Sequence, residues 1–215
     1  MFVGHYSASF AAKAIDPRLR LGPLFIAAQL MDLVWCLLLF AGVERVELVP
    51  GYTATNDYVL EYVPYSHGLT ATVGWAALAA IVWMLGRRWW GWHGSALVVG
   101  LVVLSHWFAD LISHTADLPL YGDRYKVGLG LWNHPHANFA LETGLLLGAL
   151  ALYFRATQPA RRSGMLLFVI AMIAIQGSAL VAPRPDTAIH TAAVGLLCYI
   201  GFAIAADRLD RGDHR

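Results

Sequence analysis

Long apolar segments alternate with short polar ones along almost the whole chain. Six of these segments are long enough to cross a bilayer as helices, because about 20 apolar residues span the hydrocarbon core. The pattern therefore predicts an all-α, polytopic integral membrane bundle of about six transmembrane helices. The predicted spans cover residues 21–43, 68–85, 95–113, 137–154, 165–181 and 188–206.

The chain reads as a single membrane domain over residues 1–215. Residues 1–20 are predicted to be an amphipathic or re-entrant N-terminal segment, which precedes a transmembrane bundle over 21–206. Residues 207–215 are charged and are predicted to form a cytoplasmic tail. No internal repeat interrupts this organisation.

Composition agrees with a membrane protein. The chain is 58% hydrophobic and 13% charged, with a mean hydropathy of +0.56, whereas soluble domains average about 25% charged residues. The lipid bilayer is thus the predicted partner. The formal net charge of +1 gives no support for nucleic-acid binding. Cys36 and Cys198 both lie in apolar segments, where a buried thiol is the simplest interpretation.

The basic residues determine the predicted orientation. With six spans, eleven of the fifteen Lys and Arg residues fall on the side that contains both termini. Because basic loops stay on the cytoplasmic side, both termini are predicted to be cytoplasmic. The four basic residues on the opposite side are Arg45, Arg124, Lys126 and Arg184.

The third predicted span carries three ionisable residues. His106, Asp110 and His114 recur at intervals of four and therefore share one face of a helix. Ionisable groups are costly inside a bilayer and usually mark a functional site. Imidazole and carboxylate groups on one face are also ligands that a divalent metal prefers.

Six of the nine histidines lie at or near the outer ends of the predicted spans. Their position favours a convergent site, and the alternative is a set of independent interfacial histidines. These six are His67, His106, His114, His134, His136 and His190.

Asp32 lies near the middle of the first predicted span, where a carboxylate needs a partner or must become neutral. Its candidate partners are a metal, a histidine such as His106, or an arginine. A protonated Asp32 that hydrogen-bonds across helices is the structural alternative.

A metal centre built around His106 and Asp110 needs ligands from other helices, and His67 and Asp32 are the best placed. Mixed nitrogen and oxygen ligation makes zinc the first expectation. His114 and Glu142 are the candidate catalytic groups.

His114 would transfer protons, since its ordinary pKa is near 6.5, and Glu142 would orient its imidazole. In the alternative interpretation, His114 only ends the helix and meets water.

The order of several of these residues is similar to that in a known protein family. Gly4-His5, Asp32, Ser66-His67 and the stretch 104–110, in that order, resemble the bacterial LexA-regulated inner-membrane family of predicted metal-dependent hydrolases. The resemblance covers roughly residues 1–135. It implies a bacterial inner-membrane location, hydrolase activity, and a metal site of His5, Asp32, His67, His106 and Asp110.

The chain departs from that family pattern at Met31, which stands where the family has a proline. Without this helix-ending signal, Asp32 is expected to lie deeper in the membrane. The predicted topology also leaves His5 on the cytoplasmic side, opposite His67 and His106. Either the N-terminal segment folds into the bundle from below, or His5 is not a ligand.

Three functions remain open from the sequence. The first is a membrane hydrolase that acts on an ester or phosphoester of a lipid or lipid-linked head group. The second is a cation or proton transporter or channel that uses the same His/Asp cluster. The third is haem binding through two facing histidines, for which His106 and His190 are the candidates.

Overall fold

The computed structural model of the chain describes residues 1–211 and is mostly helical. Two 3₁₀ turns, Val3–His5 and Leu131–Asn133, precede α1 and α6. The other elements, in chain order, are α1 (Tyr6–Ile15), α2 (Leu21–Ala28), α3 (Leu30–Phe40), β1 (Arg45–Leu48), β2 (Tyr58–Tyr62), α4 (Leu69–Trp89), α5 (Ala96–Ser113), α6 (Pro135–Ala156), α7 (Arg162–Ser178) and α8 (Ala188–Arg211).

Four helices within the described residues are long and apolar enough to cross a membrane, namely α4, α5, α6 and α8. The pair α2 and α3 adds a fifth if it forms one broken span, since the two helices meet at an angle of 56°. The remaining apolar helix, α7, is shorter at 17 residues. The apolar helices thus indicate a membrane protein, and the six-span count remains a prediction.

The first predicted span is broken at Gln29. This residue has φ −106° and ψ 15°, outside the helical region, and its side-chain amide donates to the carbonyl of Phe2 at 3.3 Å. The break occurs although Met31 replaces the proline of the resembling family. It leaves the last carbonyl of α2, that of Ala28, free to accept a bond from outside the helix.

The N-terminal segment lies inside the bundle. Tyr6 and Phe10 of α1 are fully buried, and α1 packs mainly against α6 and α2. Met1 is buried as well, so the N-terminal segment folds into the bundle, which is the first of the two alternatives that the sequence left open. The cytoplasmic side of both termini remains a prediction. His5 consequently faces the interior from the start of α1.

The last helix extends beyond its predicted end at residue 206. α8 continues to Arg211, so residues 207–211 are helical rather than a tail, and residues 212–215 lie outside the described part. Ion pairs stabilise this extension: Asp207 accepts from Arg20 at 2.6 Å, and Asp210 pairs with Lys13 at 3.1 Å. The end of α8 is therefore fixed to both ends of the α1–α2 loop.

Two loop regions form a cover over one end of the bundle. β1 and β2 pair as an antiparallel hairpin, which adds a small strand component to the predicted all-helical fold. The loop after α5 contacts this hairpin region, because Thr55 donates from its backbone and its hydroxyl to the carbonyl of Trp132 at 2.9 and 2.6 Å. The hydroxyl groups of Tyr52 and Thr115 form a second bond at 3.0 Å.

The Asp16 carboxylate links the α1–α2 loop to the start of α5. It accepts from the Arg18 guanidinium at 2.8 and 3.0 Å and from the backbone N–H of Ser95 at 2.7 Å. Asp16→Asn is expected to lower the melting temperature in detergent at pH 7 by a few degrees, because it removes the charge from the bonds to Arg18 and Ser95. Asp186→Asn, at an exposed position, is the control.

The pH dependence of this difference follows from the same contact. The hydrogen bonds from Arg18 hold the pKa of Asp16 below its ordinary value. The stabilisation is therefore present above the unfolded pKa of about 3.9 and is lost as the pH falls through the lower folded value. A melting-temperature difference that stays constant from pH 7 to acid would contradict this role of the charge.

Candidate metal centre

Five of the predicted site residues meet around the carboxylate of Asp110 on α5. Its Oδ2 atom lies 3.0 Å from Nε2 of His106, and its Oδ1 atom lies 3.1 Å from Nε2 of His5. Nε2 of His67 and Nε2 of His114 each lie 3.8 Å from a carboxylate oxygen. Asp110 is 2% exposed, so four imidazoles surround a carboxylate that is removed from water.

A second carboxylate, that of Asp32, lies at the edge of the same group. Its Oδ1 atom is 3.3 Å from Nε2 of His67 and 3.7 Å from Nε2 of His106. Its side chain is 13% exposed, so it is the more accessible of the two carboxylates. Two acids thus face the same two imidazoles.

The candidate ligands come from four parts of the chain, and most of them lie where regular structure starts or stops. His5 ends the 3₁₀ turn before α1, Asp32 lies in the first turn of α3 after the bend, and His67 lies just before α4. His106 and Asp110 are one turn apart on α5, so both face the interior. The convergence depends on the breaks as much as on the helices.

Hydrogen bonds determine which ring nitrogen of two histidines faces Asp110. Nδ1 of His106 lies 2.7 Å from the carbonyl oxygen of Ala28, which only accepts, so Nδ1 carries the proton. Nδ1 of His114 faces the carboxylate of Asp117 at 3.1 Å in the same way. In a neutral imidazole the other nitrogen then holds a lone pair. In both residues that nitrogen is Nε2.

His67 has the same arrangement through a longer series of hydrogen bonds. The buried Glu44 carboxylate accepts from the Ser66 hydroxyl at 2.6 Å and from the backbone N–H groups of Tyr65 and Ser66 at 2.9 Å. Because the Ser66 proton goes to Glu44, its oxygen accepts from Nδ1 of His67 at 2.8 Å. Nε2 of His67 is again left with the lone pair.

When these imidazoles are neutral, their three Nε2 lone pairs lie 3.0 to 3.8 Å from oxygens of Asp110, so that acceptors face acceptors. Nε2 of His106 and both ring nitrogens of His5 also lack a hydrogen-bond partner within residues 1–211, although all are buried. The amino group of Met1 contacts Oδ1 of Asp110, and a metal ion bound here would take up the Nε2 lone pairs that this contact leaves without a partner. Metal-bound histidines commonly donate their other ring N–H to a carbonyl or carboxylate, as seen here. The residues fit a divalent metal ion.

The possible ligands form two overlapping sets. In His5, Asp32 and His106, and again in His67, His106 and Asp110, the ligand atoms lie within 4.8 Å of one another. The two sets share His106, whose Nε2 has one lone pair and binds one ion. The sets therefore describe positions for one ion rather than two. The His5 ring stacks on the His106 ring, with centroids 3.8 Å apart and planes at 4°.

His114 is more enclosed than its position in the sequence suggests. It follows the last residue of α5 and is 4% exposed, whereas the sequence placed it toward water. The ring of Trp132 lies against it, with centroids 3.9 Å apart. Burial lowers the pKa of His114 below its ordinary value, which favours the neutral imidazole.

Glu142 lies elsewhere than predicted. The sequence analysis paired it with His114, but Asp117 is the carboxylate that contacts that imidazole. Glu142 instead accepts from the backbone N–H groups of Phe2 and Gly4 at 2.7 and 3.1 Å, and from two side-chain amides on α6 and α7. It thus fixes the turn that carries the first histidine of the site.

The convergence of histidines is only partly as predicted. His134, His136 and His190 are exposed, while His67, His106 and His114 are buried. The exposed three lie at or near the first turns of α6 and α8, where an imidazole remains hydrated at no burial cost. The pairing of His106 with His190 is not observed, because His106 is stacked with His5.

Sequence reasoning missed the groups that support the ligands. Glu44 follows directly after the first predicted span, and this position was a usable signal for a buried carboxylate. Asp117, three residues after His114, had a spacing compatible with a turn contact. The carbonyl of Ala28 had no signal, because nothing in the residues around Gln29 indicates a helix break.

Comparisons of the chain with protein-family models, with curated proteins and with solved structures found no match. The interpretation of the site therefore rests on its own geometry.

Removal of a central ligand should abolish metal binding. His106→Ala is expected to lose zinc from the purified protein, because both ligand sets contain this residue. His93→Ala is the matched control, since His93 is exposed. Elemental analysis of both variants is the measurement, and equal metal content in the two would contradict the assignment.

The hydrogen bond between Ser66 and Nδ1 of His67 can be tested separately. Ser66→Ala removes the acceptor of the Nδ1 proton, and loss of such a partner typically weakens metal affinity about 10–100-fold. Ser105→Ala is the control, because its hydroxyl donates only to the Val102 carbonyl at 2.7 Å although it neighbours His106. Competition with a chelator of known zinc affinity measures both variants. Equal affinities would show that Ser66 does not orient His67.

Proposed function

We propose that this chain is a membrane hydrolase that uses a divalent metal to cleave an ester or phosphoester of a lipid or lipid-linked head group. The observation that carries the proposal is the orientation of His67, His106 and His114. Each donates from Nδ1 to an outer acceptor and directs Nε2 at a buried carboxylate. Zinc is the first candidate, because it takes mixed imidazole and carboxylate ligands.

The proposal includes a placement in the membrane. α2 with α3, and α4 to α8, supply six spans if α7 crosses with its 17 residues, which is the lower end of the usable range. The distribution of Lys and Arg then puts the C-terminus in the cytoplasm. The resemblance to the LexA-regulated family supports the bacterial inner membrane as the location.

Each residue has a role in this proposal. His5, Asp32, His67, His106 and Asp110 would supply the ligands through the two overlapping sets, and the bound ion would lower the pKa of water and polarise the scissile bond. The more exposed Asp32 marks the side from which a substrate approaches.

His114 is the group that transfers the proton. Asp117 fixes its Nδ1–H, so Nε2 is free to accept a proton from water and to return it to the leaving oxygen. The low pKa caused by burial keeps this nitrogen unprotonated at neutral pH. Trp132 covers the other face of the ring and limits access of bulk water.

The buried residues toward the start of α5 favour hydrolysis over transport. Val99, Val102 and Val103 are at most 5% exposed, and they precede His106 by one to two turns. On α1, Tyr6 and Phe10 follow His5 and are fully buried in apolar surroundings. Ser9 and Lys13 of α1 are buried polar groups in this region, but they donate to backbone carbonyls, whereas a transport path needs polar groups that line a water-filled passage. The haem alternative needs His106 and His190 to face each other, whereas His106 stacks on His5 and His190 is exposed.

Zinc-loaded protein in detergent is expected to hydrolyse a chromogenic phosphodiester or a chromogenic carboxylic ester, and a chelator should remove the activity. His114→Ala should keep its zinc and lose turnover about 10²–10⁴-fold, the usual contribution of acid–base catalysis. His93→Ala is the control for both zinc content and turnover. Loss of zinc in His114→Ala would make this residue a ligand.

The outcome that contradicts the proposal is equally specific. If zinc-loaded and metal-free protein showed the same rate on both probes, the site would not be hydrolytic. Metal-dependent cation flux in liposomes, measured with the same preparation, would then favour a transporter.

A further inference from the structure

A groove separates α4 from α8 beside the bend between α2 and α3. Its volume is about 700 Å³, and its floor is α2. The walls are apolar and accessible: Leu78 and Val82 on α4, and Ile200 and Ile204 on α8, are each more than two-fifths exposed. The groove does not include any residue of the metal centre.

The length of the groove matches one leaflet of a bilayer. Along α4 its lining runs from Trp75 to Trp83, or about 12 Å at 1.5 Å per residue, and along α8 from Ile200 to Arg211, or about 16 Å. Half of the hydrocarbon core measures about 15 Å. An extended acyl chain of one leaflet therefore fits along it.

One end of the groove is cationic. Arg20, Arg208 and Arg211 line it together with a single acid, Asp207. Asp207 accepts from Arg20 at 2.6 Å and lies 3.5 Å from Nε of Arg211. Arg208 is exposed and has no ion pair within the described residues. Three guanidinium groups against one carboxylate leave this end in need of an anion.

We propose that the groove binds one anionic phospholipid of the cytoplasmic leaflet. Its phosphate is held by Arg208 and Arg211, since guanidinium groups match phosphate oxygens in geometry and charge. Its acyl chain lies between α4 and α8. Basic pockets between membrane helices on the cytoplasmic side are typical sites for anionic head groups. The proposal rests on the membrane placement proposed above and not on the hydrolase activity.

The lipid is a ligand of the groove rather than the substrate of the metal centre. The groove ends at Leu30, beside the bend between α2 and α3, and its lining does not include Asp32, which follows two residues later on α3. A bound chain packs against Pro23 and Ile26 of α2. It therefore fills the space that helix packing leaves open next to the broken span.

Thermal unfolding in mixed micelles tests the proposal, with phosphatidylglycerol and phosphatidylcholine of the same chains as probes. Phosphatidylglycerol should raise the melting temperature and phosphatidylcholine should not. R208Q/R211Q should weaken phosphatidylglycerol binding about tenfold or more. R87Q/R88Q is the matched control, because it removes the same charge from the end of α4, outside the groove lining. Equal stabilisation by both lipids, or equal loss in both double variants, would overturn the proposal.

Two further measurements distinguish binding of the acyl chain in the groove from binding of the head group alone. Ala79→Phe narrows the groove without changing charge and should also weaken phosphatidylglycerol binding. Glycerophosphoglycerol, which has the head group and no chains, should not stabilise the protein. Stabilisation by this probe, or unchanged lipid binding in Ala79→Phe, would contradict a chain in the groove. R208Q/R211Q should bind a normal amount of zinc. A loss of lipid binding in this variant is then distinguished from a loss of the metal centre.

Discussion

The structure depends on the cost of placing the Asp110 carboxylate inside an apolar bundle. An isolated buried charge costs several kcal/mol or more, and a single partner rarely offsets that cost. Four imidazoles and the amino group of Met1 are grouped around this one side chain. The irregular parts of the fold bring these groups there. The bend at Gln29 exposes the Ala28 carbonyl that holds His106, the inserted N-terminal segment supplies Met1 and His5, and the segment before α4 supplies His67.

A second set of groups surrounds the histidines and accepts hydrogen bonds from their Nδ1 atoms. A backbone carbonyl, a serine backed by Glu44, and Asp117 each take one Nδ1 proton. These three acceptors come from different elements, so no single helix controls the orientation of the rings. A substitution far from the ligands, at Glu44 for example, is therefore coupled to the site through His67. The rigidity of such a site comes from hydrogen bonds rather than from the ligand spacing alone.

The sequence was sufficient for the helices and for the core of the cluster. Hydropathy located the apolar segments, and the four-residue spacing on α5 placed His106 and Asp110 on one face. It was not sufficient for the bend at Gln29, because the geometry there comes from packing of the N-terminal segment and not from a proline or glycine. The role of Glu142 was misjudged for a related reason: its partners are backbone N–H groups of Phe2 and Gly4, which carry no side-chain signature.

The bond between Lys13 and Asp210 has a consequence for the order in which the protein is completed. Lys13 carries a charge inside the bundle, where it donates to the carbonyls of Pro17 and Leu19 and pairs with Asp210, near the end of the last helix. Because Asp210 lies on α8, it follows every other described helix in chain order. Lys13 therefore gains its carboxylate partner only when α8 packs against the start of the chain, and before that it has only the carbonyls of its own loop as acceptors.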